Sequence, residues 1–161
     1  MLTREEFVQE AERIRPRLLA GASRYLHDAG EAEDVVQDVL LRLWTLRDEL
    51  TLPIEPLACV LVRNFSIDLL RRRRWHAALA DADGSDAVEE AVAHGQIERL
   101  MTAVNSLPSM QQLILRLRHV EEMDYREIAK LTGSREEAVR KALSRARKAV
   151  KDKYMNNQED L

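Results

Sequence analysis

The sequence predicts an all-α fold in which two small helical domains are joined by a flexible acidic linker, the second domain containing a helix-turn-helix. Composition supports this fold class, because the chain is 45% hydrophobic and 33% charged with only five glycines and four prolines. Apolar residues recur at three- and four-residue spacing, which is typical of helices with one buried face. A chain of 161 residues is long enough for two small hydrophobic cores.

The first helix is predicted to begin near Arg4, because Thr3 and Glu6 have the spacing of a capping box. Pro16 interrupts the pattern that follows, since the residue before a proline avoids the helical region of backbone space. A second helix is therefore expected from Pro16 to about His27.

A third helix is expected from about Glu31 to Arg47, with apolar residues at the spacing of a core face. Its opposite side carries Asp34, Gln37, Asp38, Leu41 and Arg42. Leu41 is a large apolar residue among polar ones, which favours a surface that binds a partner.

A fourth helix is predicted from Pro56 to about Trp75, after a short loop bracketed by Pro53 and Pro56. The helix is expected to end with four consecutive arginines, Arg71, Arg72, Arg73 and Arg74. A basic run in this place is consistent with contacts to DNA phosphates, or with a charged helix end stabilised by the helix dipole.

The predicted domains are residues 1–75 and 94–155, with a linker at 76–93 and a disordered tail at 156–161. The linker is assigned because residues 76–92 are rich in alanine and acidic residues and have no large apolar stripe. Residues 81–100 carry six acidic and one basic side chain, so the middle of the chain is acidic although the net charge is only −3.

The segment from Tyr125 to Arg147 predicts a helix, a tight turn and a second helix. Gly133 suits the turn, and Ser134 with Glu137 has capping-box spacing that would start the second helix at Arg135. With its apolar residues facing inward, this helix presents a set of polar residues as candidate contacts to a DNA major groove. They are Ser134, Arg135, Glu136, Arg140, Lys141, Ser144 and Arg145.

Charge supports this interpretation, because residues 135–153 carry eight basic and three acidic side chains. The alternative is a solvated surface helix in a bundle without a DNA partner. Whole-chain alternatives are a stand-alone helix-turn-helix regulator and a helical bundle that binds only proteins.

Catalytic and metal chemistry are not expected. The single cysteine, Cys59, lies in an apolar run and is predicted to be buried, and the four histidines lack ligand spacing. No cofactor is predicted. The N-terminus has no basic flank followed by an apolar segment, so a cytoplasmic location is expected.

These blocks together resemble the extracytoplasmic-function group of the sigma-70 family of RNA polymerase sigma factors. The segment 30–44 is similar to region 2.2, 61–74 to regions 2.3 and 2.4, and 107–149 to region 4. The resemblance implies promoter-specific transcription initiation, with core polymerase and promoter DNA as partners and an anti-sigma factor as a further partner.

The resemblance also implies roles for individual residues. One stripe of α-helical residues would dock on the clamp of the largest polymerase subunit: Asp34, Gln37, Asp38, Leu41 and Arg42. Region 4 would bind the flap of the second-largest subunit. Asn64 and the arginines 71–74 would contact the minus-10 element, Asn64 either bonding a flipped base or bracing the loop at 47–55. The helix-turn-helix would read the minus-35 element.

One departure from the family concerns the helix-turn-helix that would recognise the minus-35 element. The family commonly carries Ser-x-Gly-Thr-Val-Lys where the recognition helix starts, and residues 135–140 of this chain read Arg-Glu-Glu-Ala-Val-Arg. The preference for a particular minus-35 sequence is therefore left open.

Overall fold

A computed structural model describes residues 1–81 and 85–159. These residues form seven α-helices and one 3₁₀ turn at Arg47–Glu49, and they contain no β-strand, which confirms the all-α prediction. The helices are α1 (Arg4–Ser23), α2 (Ala29–Thr45), α3 (Glu55–Asp81), α4 (Ser85–Asn105), α5 (Ser109–His119), α6 (Tyr125–Thr132) and α7 (Glu136–Glu159).

The chain divides into two compact units. The first comprises Met1–His76 with Leu131–Gly133, and the second comprises Ala77–Lys130 with Ser134–Leu161. In the described part of the chain, no helix combines the length and the apolar character needed to cross a membrane.

The capping box at the start of α1 is present as predicted. The Glu6 backbone N–H donates to Thr3 Oγ1 at 3.1 Å, and the Thr3 N–H donates to Glu6 Oε2 at 3.0 Å. The Glu6 N–H lies in the first turn of α1, where it has no intrahelical acceptor, and the Thr3 N–H lies just before the helix. The capping box satisfies both groups.

The predicted break at Pro16 is wrong, because α1 continues through the proline to Ser23. Ile14 and Leu18 lie one turn apart on either side of Pro16, and each is only 1% exposed. Arg13 and Arg17, also one turn apart, both pair with Glu55 of α3. An interior proline costs a helix about 3 kcal/mol, and these tertiary contacts offset that cost.

The first unit is built around α1, α2 and the first half of α3. Asp28 caps α2 by accepting a 3.1 Å hydrogen bond from the Glu31 N–H, so the helix begins at Ala29, two residues before the expected start. The core residues of α2 are Val35, Val36, Val39 and Leu43. The half-buried Trp44 lies edge-on to Phe7 of α1, with 5.3 Å between the ring centroids.

The described part of the expected linker is helical. Helix α3 extends past the predicted end at Trp75 to Asp81, and α4 begins at Ser85. Residues 82–84, and the linker prediction for them, lie outside the described residues. Helix α7 likewise continues to Glu159 through most of the expected disordered tail, and residues 160–161 lie outside the described residues.

The second unit packs α7 against α4 and α5. Its buried apolar residues include Val104, Leu113, Leu117, Val139 and Leu143. A polar contact near the end of α4 adds to this core, because the buried Gln112 donates to Asn105 Oδ1 at 2.8 Å. Lys153 of α7 donates to Ser106 Oγ at 2.7 Å, which ties the last turns of α7 to the start of the α4–α5 connection.

Candidate nucleic-acid interface

Helix α6, a left-handed turn and helix α7 form the predicted helix-turn-helix. Asp124 caps α6, because its Oδ1 accepts a 2.8 Å hydrogen bond from the Glu127 N–H. Gly133 has a φ of +66°, and the Ser134 N–H donates to the Ala129 carbonyl at 2.9 Å. A left-handed glycine followed by this bond is the Schellman ending of a helix, and it forms the tight turn that was predicted at Gly133.

Helix α7 begins at Glu136, one residue after the predicted start. Its first backbone bond runs from the Val139 N–H to the Arg135 carbonyl at 3.1 Å, which places Arg135, and not the predicted Ser134, at the N-cap. A shift of one residue is within the normal variation of helix ends and keeps the predicted faces.

The two faces of α7 differ in exposure as predicted. Val139, Leu143 and Ala146 are buried in the second unit. All seven candidate DNA contacts are exposed. They are Ser134, Arg135, Glu136, Arg140, Lys141, Ser144 and Arg145. The structure therefore exposes all seven candidate residues, five of them on α7 and the other two, Ser134 and Arg135, just before it.

Tyr125, at the start of α6, is surrounded by arginines from the two neighbouring helices. The guanidinium carbon of Arg118 lies 5.1 Å from the ring centroid, and that of Arg140 lies 5.3 Å from it. Both distances are within the range of cation–π attraction. Sequence reasoning missed this contact, because Tyr125 and Arg140 belong to separate helices and nothing in the spacing links them.

A histidine of α5 contacts Arg147, further along α7. His119, at the end of α5, accepts a 3.1 Å hydrogen bond from Arg147 Nε. Desolvation lowers the pKa of His119, and the charges of Arg147 and Arg118 lower it further. The neutral imidazole is therefore favoured in the fold, in the state that accepts from Arg147.

The predicted partner-binding stripe on α2 is solvent-facing. Asp34, Gln37, Asp38 and Leu41 are exposed, and Arg42 is half-buried. Leu41 is 55% exposed, so a large apolar side chain lies on the surface among these polar residues. Gln37 and Leu41 also border an apolar groove between α1 and α2, whose other members include Val8, Ala11, Leu40 and Trp44.

The four arginines of α3 are all exposed, but they do not share one face. Successive residues of an α-helix are turned by about 100°, so four in a row surround the helix. Arg73 points towards α2, where it pairs with Glu31. Because α3 continues to Asp81, the run also lies within the helix and not at its C-terminal end. The helix dipole therefore does not account for it.

Asn64 is separated from these arginines by its burial. Its side chain is 6% exposed, and its Oδ1 has no hydrogen-bond partner in the structure. The neighbouring Ser66 is also buried, with an unpartnered Oγ. The structure thus does not bring Asn64 to the surface where Arg71, Arg72 and Arg74 lie.

The predicted burial of Cys59 is wrong, because the cysteine is exposed. Leu57, Ala58, Leu61 and Val62 take the inward positions of α3 and leave Cys59 on the outside. Partial desolvation raises the pKa of the thiol, and the nearby carboxylate of Glu55 raises it further. Among the described residues, no group of three or more histidine, cysteine, aspartate or glutamate side chains could hold a metal ion.

Comparison with known families gives two matches that follow the two units of the fold. Residues 10–76 match the family model described as Sigma-70 region 2, which includes the α2 stripe and the α3 arginines. Residues 97–150 match the model described as Sigma-70, region 4, which includes the helix-turn-helix.

Two curated proteins show similarity over most of the chain. One is a probable RNA polymerase sigma factor, RfaY, of Xanthomonas campestris pv. campestris, 30% identical over 141 residues that cover 80% of this chain and 35% of that protein. The other is the ECF RNA polymerase sigma factor SigJ of Mycobacterium tuberculosis, 28% identical over 155 residues that cover 89% of this chain and 49% of that protein. The chain thus spans about a third to a half of the length of these relatives.

A solved structure also matches, that of the sigma factor RpoE in complex with the anti-sigma factor NepR from Bartonella quintana. It is 20% identical with a TM-score of 0.41, covering 92% of this chain and 96% of that one. A similarity of this size supports no conclusion about the chain.

Proposed function

The chain belongs to the extracytoplasmic-function group of the sigma-70 family, and on that premise we propose that it is a promoter-specificity subunit of RNA polymerase. In this role it binds core polymerase, recognises the minus-10 and minus-35 promoter elements, and directs initiation without catalysing a reaction of its own. The observation that carries the proposal is the exposed basic face of α7, in a chain that matches regions 2 and 4 in that order.

Recognition of the minus-35 element is assigned to α7. The first turns of a recognition helix enter the major groove, and Arg140, Lys141, Ser144 and Arg145 are exposed on these turns. Arginine guanidinium groups can bond guanine bidentately, and serine and lysine can contact bases or phosphates. Glu136 and the N-cap position at Arg135 would set which base edges are accepted at the start of the helix.

Contact with the minus-10 region is assigned to Arg71, Arg72 and Arg74. All three are exposed on α3, and their charges suit the phosphates of promoter DNA. Arg73 could contact the same phosphates only after its ion pair with Glu31 breaks. Asn64 is not assigned a base contact in this conformation, because its side chain is buried.

Binding of core polymerase is assigned to the exposed stripe of α2. Leu41 supplies an apolar contact near the C-terminal end of the stripe, and Asp34, Gln37 and Asp38 supply polar contacts on the turns before it. This stripe is the surface that an anti-sigma factor would need to cover in order to keep the chain inactive, and we include such a factor as the controlling partner. The chain would act in the cytoplasm, where polymerase is found.

Reconstituted transcription tests the proposal directly. The purified chain is added to cognate core polymerase, and transcripts are mapped on sheared genomic DNA, with core polymerase alone as the control. We expect new transcripts whose start sites share upstream sequence elements. If the chain neither binds core polymerase nor yields such transcripts, the proposal is wrong. Tight binding of duplex DNA by the free chain would then favour a stand-alone regulator.

A further inference from the structure

We propose that Tyr125 is a positioning residue for promoter recognition, its ring holding the guanidinium of Arg140 at the DNA-facing surface of α7. The inference rests on the proposed function, because it assumes that Arg140 contacts the minus-35 element. The contact that carries it is the 5.3 Å distance from the guanidinium carbon of Arg140 to the centroid of the Tyr125 ring.

The ring of Tyr125 is itself held in place. Tyr125 directly follows Asp124, which caps α6 through the 2.8 Å hydrogen bond from the Glu127 N–H. Arg118 approaches the same ring at 5.1 Å, and its Nη1 donates to the Met123 carbonyl at 2.8 Å. Contacts from α6 and α5 therefore hold the ring in place independently of Arg140 on α7.

A fixed ring matters because Arg140 is exposed and its side chain is long. Ordering such a side chain on binding costs conformational entropy. A side chain that already rests against the ring loses less freedom when it meets DNA, which favours binding.

An aromatic ring also leaves the arginine able to bind DNA. Cation–π attraction acts on the face of the guanidinium, whereas its N–H donors lie around the edge. A carboxylate partner would take up those donors and oppose the approach of a phosphate, as Glu31 does for Arg73. Tyr125 is uncharged, so it can orient Arg140 without competing for its charge.

The test compares Tyr125→Phe with Tyr125→Leu in the holoenzyme. The dissociation constant for a promoter found by genomic transcription is measured, with a promoter whose minus-35 element is scrambled as the control. Phenylalanine keeps the ring, so we expect affinity within twofold of the wild type. Leucine removes it, and we expect a loss of about two- to fivefold. On the scrambled promoter the two variants should bind equally.

A double-mutant cycle decides whether Tyr125 acts through Arg140. In an Arg140→Gln background, Tyr125→Leu should have no further effect on affinity. An equal loss in both backgrounds overturns the proposal, as does a Tyr125→Phe variant as weak as Tyr125→Leu, since the hydroxyl would then be the active group. Unchanged affinity of Tyr125→Leu overturns it as well.

The folded state is monitored by thermal unfolding of each variant. If Tyr125→Leu does not fold, NMR of the wild-type chain decides the question. Nuclear Overhauser contacts between the Tyr125 ring and the Arg140 δ-methylene protons support the proposal, and their absence overturns it. A wild-type chain that yields no promoter-dependent transcript contradicts the proposed function, whereas an active wild type with an unaffected Tyr125→Leu variant contradicts this inference alone.

Discussion

Arg140 of α7 lies against the ring of Tyr125 of α6, with 5.3 Å between the guanidinium carbon and the ring centroid. The two helices of the helix-turn-helix are therefore linked through a side chain that also faces solvent. A residue in this position affects both the packing of the motif and the surface that it presents.

Substitution of Arg140 should weaken promoter binding more than substitution of a basic residue further along α7. We expect Arg140→Gln to cost about 1–3 kcal/mol in binding free energy and to relax the preference at one base pair of the minus-35 element. Lys148, exposed two turns later, is the matched control, and Lys148→Gln should leave that preference unchanged. Fluorescence anisotropy of the holoenzyme on promoter variants measures both effects. Equal behaviour of the two variants would contradict the assignment.

Leu41→Glu should weaken binding of core polymerase while leaving the fold intact. Leu41 is 55% exposed, so a charge there stays solvated in the free chain but meets an apolar surface in the complex. We expect unchanged helicity by circular dichroism and at least a tenfold loss of core affinity. The fully buried Leu43, two residues later, is the contrasting site, where Leu43→Ala should lower stability by about 2–5 kcal/mol. A loss of helicity in Leu41→Glu would show that the residue belongs to the core.

Glu31→Gln should release Arg73 and strengthen contact with promoter DNA. The pair is partly exposed, because the side chain of Arg73 is 48% accessible and that of Glu31 is 31% accessible. Its loss should therefore cost less than about 1 kcal/mol of stability. We expect a small gain in promoter affinity that disappears in an Arg73→Gln background. The measurement is the dissociation constant at two salt concentrations. A gain that persists without Arg73 would locate the effect elsewhere.

The stability of the second unit should fall as the pH drops below the ordinary pKa of histidine, about 6.5. The fold lowers the pKa of His119, mainly by desolvation and then through Arg147 and Arg118. The unfolded chain therefore binds a proton first, which favours unfolding until the pH is below the lowered value. His119→Gln should reduce this dependence, and urea unfolding at a series of pH values measures it. Identical pH profiles for the variant and the wild type would contradict the prediction.

Gly133→Ala should destabilise the helix-turn-helix by about 1–2 kcal/mol, because the residue has a φ of +66°. Gly133→Asn should relieve only the backbone part of this cost, since asparagine tolerates this region better but its Cβ meets the same Thr51 side chain that the alanine Cβ meets. The matched control is Gly95, which lies within α4 with no neighbouring atom within 4 Å of an added Cβ. Gly95→Ala should be neutral or stabilising by up to about 1 kcal/mol. Thermal unfolding ranks the three variants.

Local features of the fold could be predicted from the sequence, because their partners lie a few residues apart. The capping box of Thr3 and Glu6 and the left-handed Gly133 are of this kind. The continuation of α1 through Pro16 could not be predicted, since it depends on packing around Ile14 and Leu18 and on Glu55 of a later helix.

The same distinction holds for the candidate site. Helical periodicity was sufficient to place Arg140 and Lys141 on the exposed face of α7 and Leu41 on that of α2. The pairing of Arg73 with Glu31 joins residues 42 positions apart. A consecutive run of arginines does not indicate which of them pairs with a residue of another helix. Burial of Asn64 has the same origin, because residues from other helices decide which polar positions of α3 are covered.

Helix α6 has only eight residues, fewer than the roughly 12–15 that an isolated helix needs in order to persist in water. It exists because Asp124 caps its start, the turn at Gly133 closes its end, and Ile128 and Ala129 are buried. The helix-turn-helix consequently cannot be moved into another protein by itself. A peptide cut from residues 125–147 would lose α6 and with it the Tyr125 support for Arg140, so chimeric regulators built from this chain need to carry α4 to α7 as one piece.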